Sequence, residues 1–272
     1  MEIFNDTIIT FTCDQKYSPY SEILIKSIQK NSPNLQIVLR LVNCNKQTIE
    51  RISNLDTNIT TIVENIELST KRNISCSNKE LMYEGLLGSF FENKTKIKPA
   101  RFLVSEQITY CSNIKFDTIN KLLEAGAKNI IYMDVDSIVR RELTPLIDIM
   151  QTGDICMFKD KPYTEQHRGS KRLQGQTVLY HGGLICVRNT QRSTELISSW
   201  KETVSNNIFD WDIDEQLLSD VTSKTNITVV DLPVCFKDEN LSNSSYIWSG
   251  AGETKFSNNI YLNECRHYID SL

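Results

Sequence analysis

The sequence predicts an α/β fold with a mostly parallel central sheet and helices on both faces. Three observations carry this expectation. Short β-branched apolar runs alternate with stretches of helical apolar period. One run, Asn129–Met133, is almost wholly apolar, as a strand covered on both faces must be. The order is strand, helix, strand from the first residues onward, which is how parallel sheets are built.

Taken along the chain, Thr7–Cys13 reads as a strand that stops at Asp14. Ser18-Pro19 opens a helix with its stripe at Tyr20, Ile23, Leu24, Ser27 and Ile28. A strand over Gln36–Val42 is interrupted only by Arg40; a helix over Lys46–Ser53 and a strand over Ile59–Val63 follow. Asn65 to Lys79 is polar and patternless, hence a loop. Ile97, Val104, Ile108 and Cys111 recur at helical spacing, and a second helix over Phe116–Leu123 stops at Gly126. After Asn129–Met133, strands fit Ile155–Phe158, Leu184–Val187 and Thr228–Leu232, and helices fit Leu196–Val204 and Ile213–Val221. From Asp238 onward Asn, Ser and Gly dominate, which reads as a short, mobile C-terminal flap.

The 272 residues, 40% hydrophobic and 24% charged, exclude a disordered or collagen-like chain. No repeat, linker or composition break divides them, so a single domain over 1–272 is expected. Lys and Arg number 30 against 34 acids, a net charge of −4, which leaves no basic surplus for nucleic acid. No apolar stretch reaches the roughly 18 to 20 residues of a membrane span, and Met1–Asp6 lacks the pattern of a signal peptide. A cytoplasmic location is expected. The eight cysteines, without a CxxC pair, then read as reduced residues of the core, and Asn73 and Asn93 as unmodified despite their sequons.

Asp134-Val135-Asp136 follows the strongest strand directly. In open α/β sheets, ligands gather beyond the carboxyl ends of the strands. Two carboxylates two residues apart offer hard oxygen donors for Mg²⁺ or Mn²⁺, ions that bind one or two carboxylates together with substrate phosphates. The bland alternative is a turn in which Asp136 caps the backbone ahead of Arg140 and Arg141. Two enzyme classes place Asp-x-Asp after an apolar strand: haloacid-dehalogenase phosphatases, in which Asp134 would be the nucleophile, and GT-A glycosyltransferases. The phosphatase motif opens its domain, whereas several β and α elements precede this one.

Further motifs resemble glycosyltransferase family 8, the group that includes glycogenin and bacterial lipopolysaccharide galactosyltransferases. Thr12-Cys13-Asp14-Gln15-Lys16-Tyr17 is similar to the family's first-strand motif, in which the acid meets the uracil edge and the tyrosine stacks on the base. A carboxylate accepting the uracil N–H and a phenol covering its face suit those roles. Pro99-Ala100-Arg101-Phe102 resembles the helix motif whose arginine touches the donor; Arg101 also falls on the stripe of Ile97, Val104 and Ile108, where a charge needs a partner or must snorkel. Tyr180-His181-Gly182-Gly183 resembles the segment that lets backbone approach the sugar, with His181 in place of the usual Asn; a turn before a strand would equally explain the glycines. Asp212-Ile213-Asp214-Glu215-Gln216 resembles the segment that faces the anomeric carbon, although Asp212 or Asp214 would also serve as a helix cap. Gly252-Glu253-Thr254-Lys255 resembles the family's His-x-x-Gly-x-x-Lys, with Ser249 standing where the metal-binding histidine would be.

The resemblance covers residue 7 to about 256 and implies a Rossmann-like GT-A domain, with a nucleotide-binding half to about residue 136 and an acceptor and catalytic half over about 137–272. It implies a retaining, metal-assisted transferase moving glucose or galactose from a UDP-sugar to a glycan or small-molecule acceptor. Asp134 and Asp136 would hold Mn²⁺ or Mg²⁺, with Ser249, His267 or water as a further ligand. Glu215 and Asp214 would be catalytic. Thr12, Cys13, Asp14, Tyr17, Arg101, Val135, His181, Gly182, Gly183, Gly252 and Lys255 would bind the donor. The locally basic segment Lys159 to Gln176 would wall the acceptor site. The competing readings are an Asp-x-Asp phosphatase and a nucleotide-sugar binding protein without activity.

Overall fold

A computed structural model describes residues 6–68, 106–159, 180–210, 213–221, 226–250 and 254–269. The first half runs β1 (Thr7–Asp14), α1 (Ser18–Asn31), β2 (Gln36–Val42), α2 (Lys46–Ser53), β3 (Ile59–Glu64), α3 (Glu106–Asn113), α4 (Lys115–Glu124) and β4 (Asn129–Met133). The second runs β5 (Ser137–Val139), α5 (Thr144–Met150), β6 (Ile155–Lys159), β7 (Tyr180–Arg188), α6 (Gln191–Ser205), α7 (Ile213–Asp220), β8 (Val229–Leu232), β9 (Ile247–Ser249), α8 (Thr254–Ser257) and α9 (Asn259–Ile269).

Seven strands form one sheet in the order β3-β2-β1-β4-β7-β6-β8. All neighbours are parallel except β7, which runs against both β4 and β6. β1 and β4 are buried at every position. Their alternation splits the core: Ile9, Phe11, Ile131 and Met133 pack with α1 and α5 on one face, and Ile8, Ile130 and Tyr132 with α4 and α6 on the other. A continuous apolar strand is therefore the signature of a sheet covered twice. Arg40, the break in the β2 run, is buried and closes on Glu64 at 2.8 Å and Asp117 at 2.6 Å.

The expected strands and helices that fall among the described residues are present, with three differences; residues 97–105 of the expected helical stretch and 69–79 of the expected loop lie outside them. β7 starts at Tyr180 rather than Leu184, so Gly182 and Gly183 lie within a strand and not in a turn before it. α5 opens on Thr144-Pro145, proline occupying a first-turn position where its missing N–H costs nothing. The expected flap is built instead as a two-stranded sheet of β5 and β9 with two helices after it. Its organiser is the buried Asp238, whose carboxylate accepts from the backbone N–H of Asn240 and Ser242 and from the Ser245 hydroxyl. α9 then buries Tyr261, Cys265 and Tyr268, one face at helical spacing. No helix among the described residues is long and apolar enough to cross a membrane.

Candidate active site

The site forms where β1, β4 and β7 meet. β4 ends at Met133 opposite Leu184, and the Asp134 N–H donates to Gly183 O at 2.9 Å, extending the antiparallel ladder by one bond. Asp134 is half-buried and Asp136 buried. Burial, with Asp134 alongside, raises the Asp136 carboxyl above its usual value. Lys255 answers this with a 2.6 Å bond to Asp136 Oδ2, and its own ammonium is stabilised by that carboxylate against the cost of burial. The Asp136 carbonyl is fixed by Tyr261 Oη at 2.7 Å and by Gly250 N–H at 3.0 Å. The terminal helix thus locks the second aspartate from behind.

On the first-strand side, Asp14 Oδ1 accepts the Tyr17 N–H at 2.9 Å, a local turn that leaves further acceptor capacity on the carboxylate. The Tyr17 ring is half-buried with the Lys255 ammonium 5.5 Å from its centre, so Lys255 links the Asp14–Tyr17 turn to Asp136. Thr12 Oγ1 is buried and has no hydrogen-bond partner among the described residues. Cys13 packs into the core, its thiol pushed well up by a hydrogen bond with Cys44 and by burial; any donor contact at this position goes through backbone. Val135 packs half-buried against the same core.

The glycines of β7 matter for what crowds against them. A side-chain carbon on Gly183 would lie 2.5 Å from Asp134 Oδ2, 3.0 Å from Lys237 Cε and 3.1 Å from His181 Nδ1. One on Gly182 would lie 2.8 Å from both Asp214 Oδ2 and Lys115 Nζ. His181 Nδ1 accepts the Gly183 N–H at 3.0 Å, so the neutral ring carries its proton on Nε2. Burial first, and then Lys237, lowers the His181 pKa. Glu215 and Asp134 lie close enough to act on the same ring in the opposite sense.

Asp214, at the start of α7, is no solvated cap. Its Oδ2 lies 2.7 Å from Lys115 Nζ and 3.3 Å from Ser112 Oγ, and Lys115 also donates to Gly182 O at 3.1 Å. Burial alone would raise the Asp214 pKa; Lys115 outweighs it and holds the carboxyl below its usual value. Lys115 and Lys237, both buried, are site residues absent from the sequence expectations.

Asp134, Asp136, His181, Gly182, Gly183, Asp214, Glu215 and Lys255 are therefore gathered at one end of the central strands, with Asp14 and Tyr17 joined through Lys255. Arg101, Asp212, Gly252 and residues 160–176 of the acceptor segment lie outside the described residues. As to a divalent ion, no group of three His, Cys, Asp or Glu side chains poised to hold one occurs among the described residues. Ser249 is buried opposite Ser137 in the β5–β9 pair, and His267 lies on α9 against Lys30, at 3.0 Å. The two carboxylates fit a hard ion as a partial set, to be completed by phosphate oxygens and water.

Among curated proteins, none matches the chain. Among solved structures, the galactosyltransferase LgtC, in complex with donor and acceptor sugar analogs, is similar over 96% of this chain and 95% of its own at 16% identity, with a TM-score of 0.55. An active-site mutant of LgtC gives a TM-score of 0.58 at 14% identity, over 97% and 96%. The apo bifunctional glycosyltransferase WbbM gives 0.58 at 14%, over 99% of this chain and 50% of its own. The fold is that of GT-A glycosyltransferases. The family model described as Glycosyl transferase family 8 matches residues 8–209, and with most of its length inside that match the chain belongs to this family.

Proposed function

We propose that the protein transfers a hexose, glucose or galactose, from a UDP-sugar to a glycan or other acceptor hydroxyl, with retention at the anomeric carbon. The observation that carries this reading is the convergence of Asp134, Asp136 and Lys255 with the Asp14–Tyr17 turn at the carboxyl ends of β1 and β4. LgtC, similar across nearly its full length, was solved with sugar analogs of both kinds, which supports a donor and an acceptor here. In the single domain over 1–272, the half to about residue 136 takes the nucleotide and the remainder the acceptor.

Asp14 accepts the uracil N–H while Tyr17 covers the ring. Lys255 meets the diphosphate, exchanging its bond to Asp136 for phosphate oxygens as the donor enters. Mn²⁺ or Mg²⁺ held by Asp134 and Asp136 would supply Lewis-acid charge to that diphosphate. His181, neutral, presents Nε2–H to a sugar oxygen, and the side-chain-free Gly182 and Gly183 let the sugar approach the backbone. Asp214, fixed by Lys115, accepts from sugar hydroxyls. The bond from the anomeric carbon to the distal phosphate breaks with its electron pair staying on phosphate. The acceptor oxygen bonds that carbon and releases its proton to UDP or water, and Glu215 stabilises the positive charge on the sugar meanwhile. Replacing Asp134 and Asp136 together by Ala abolishes UDP release from UDP-sugars with Mn²⁺ if this is right; undiminished release contradicts it. UDP binding without any transfer would instead identify a nucleotide-sugar binding protein.

A further inference from the structure

We propose that Lys237 is a second cation for the donor's diphosphate, acting beside Lys255 so that UDP is held, and its leaving charge neutralised, without full reliance on a divalent ion. The proposal rests on the donor reading above.

Of the two buried site lysines outside the motifs, Lys115 is answered by the buried Asp214, and Lys237 is the one whose burial its partner does not explain. Its side chain is only 3% exposed, yet the carboxylate it pairs with, Glu239 at 2.8 Å, is half in solvent. An ammonium needing only that partner would sit outside with it, because removing the charge from water is costly. The stem is drawn inward by Gly183: Lys237 Cε, Asp134 Oδ2 and His181 Nδ1 all crowd the space that a side-chain carbon there would fill. The Phe158 ring, centred 5.8 Å from Nζ, backs the ammonium. The backbone is held on both sides, by Lys237 N–H to Val234 O and Asp238 N–H to Ile247 O, each at 3.0 Å.

The charge reaches the site from this position. Lys237 Cε and Asp134 Oδ2 lie 3.0 Å and 2.5 Å from the one point that a Gly183 side-chain carbon would occupy, so the lysine stem runs beside the carboxylate pair. The charge balance also calls for it. Asp134 and Asp136 face an incoming diphosphate that is itself anionic and gains a further negative charge as the sugar departs. Lys115 is committed to Asp214, and Lys255 offsets only one carboxylate. Among the described residues no third His, Cys, Asp or Glu joins the two carboxylates, so an ion held there would share its coordination with the diphosphate. A preorganised lysine at the developing charge supplies the remaining stabilisation.

The test is calorimetric titration of UDP and of uridine, in EDTA and then in Mn²⁺, into wild type, Lys237→Met and Lys237→Arg. In EDTA, Lys237→Met is expected to weaken UDP by about tenfold, or about 1.4 kcal/mol, to leave uridine unchanged, and to be largely rescued in Lys237→Arg. Mn²⁺ is expected to narrow the gap. Lys237→Gln, which keeps a polar head, serves if the Met variant does not fold. Equal UDP affinity of wild type and variant in EDTA overturns the proposal, as does a matching loss for uridine, which would make Lys237 a residue of the base pocket or the fold. Wild type binding neither ligand would instead bring down the donor reading itself.

Discussion

Lys115 Nζ and Asp214 Oδ2 lie 2.7 Å apart, with the two side chains 2% and 8% exposed, and this pair joins the start of α4 to the start of α7 across the start of β7. Removing one partner of such a pair strands the other. Lys115→Met is expected to cost about 3–5 kcal/mol of stability. The double variant Lys115→Met/Asp214→Asn should recover a large part of it. Urea unfolding of the three proteins checks this; equal stability of the single variant and wild type would show the pair to be idle.

Acid should weaken the fold through its depressed carboxylates. Burial alone would raise Asp154 and Asp238, but hydrogen bonds outweigh it: from Thr228 and Thr190 at Asp154, and from Ser245, Ser242 and Asn240 at Asp238. Both therefore lie below their usual value of 3.8. A depressed folded value contributes stability that is complete above the unfolded value and is lost as pH falls through the folded one. These two carboxylates therefore hold stability constant above about pH 5 and give it up below about pH 4, while His181, held neutral by burial, adds a smaller loss that starts as pH falls through about 6.5. Asp238→Asn should lower the plateau and shallow the acid limb, as read from melting temperature against pH.

His181 is expected to stay neutral, with its proton on Nε2, down through its usual value of 6.5, because burial and Lys237 both disfavour the charged ring. Nitrogen-detected NMR of labelled histidine reads the tautomer directly. A ring that titrates at or above 6.5 would place it in a more open environment than this structure gives it.

Gly183→Ala should separate activity from stability. The added carbon meets Asp134 Oδ2 and Lys237 Cε, both the ends of side chains that can turn away, so the strand survives while the carboxylate is displaced. A melting temperature within about 4–8 °C of wild type, the shift that roughly 1 kcal/mol brings in a small domain and an upper bound for this larger one, is expected alongside a fall in turnover of at least about tenfold. Gly182→Ala, which strikes the buried Lys115–Asp214 pair, should lose both.

The sheet was readable because burial on both faces writes continuous apolar strands, and Asn129–Met133 led directly to Asp134 and Asp136. Like Arg101, a charge on an apolar helical stripe, Lys115 stands on a face with Ile119 and Leu122 and so needs a partner. It was missed because its partner lies 99 residues on. Lys237 sits in a polar stretch whose order comes from Asp238, and composition does not distinguish a carboxylate pinning a loop from one in solvent. α9 was hidden for a related reason: Tyr261, Cys265 and Tyr268 have helical spacing but sit among Asn, Glu and Arg.

If the proposed function holds, the Asp14–Tyr17 turn and the Asp134–Asp136 pair form one UDP-sugar site. Thermal melting of wild type and Asp14→Ala with UDP-, GDP-, ADP- and CMP-sugars, with and without Mn²⁺, tests it most directly, since a ligand selective for the folded state raises its stability by mass action. A rise is expected with UDP-glucose or UDP-galactose and with no other nucleotide-sugar, larger with Mn²⁺ and lost in Asp14→Ala. No response to any UDP compound, or an equal one in Asp14→Ala, would contradict it.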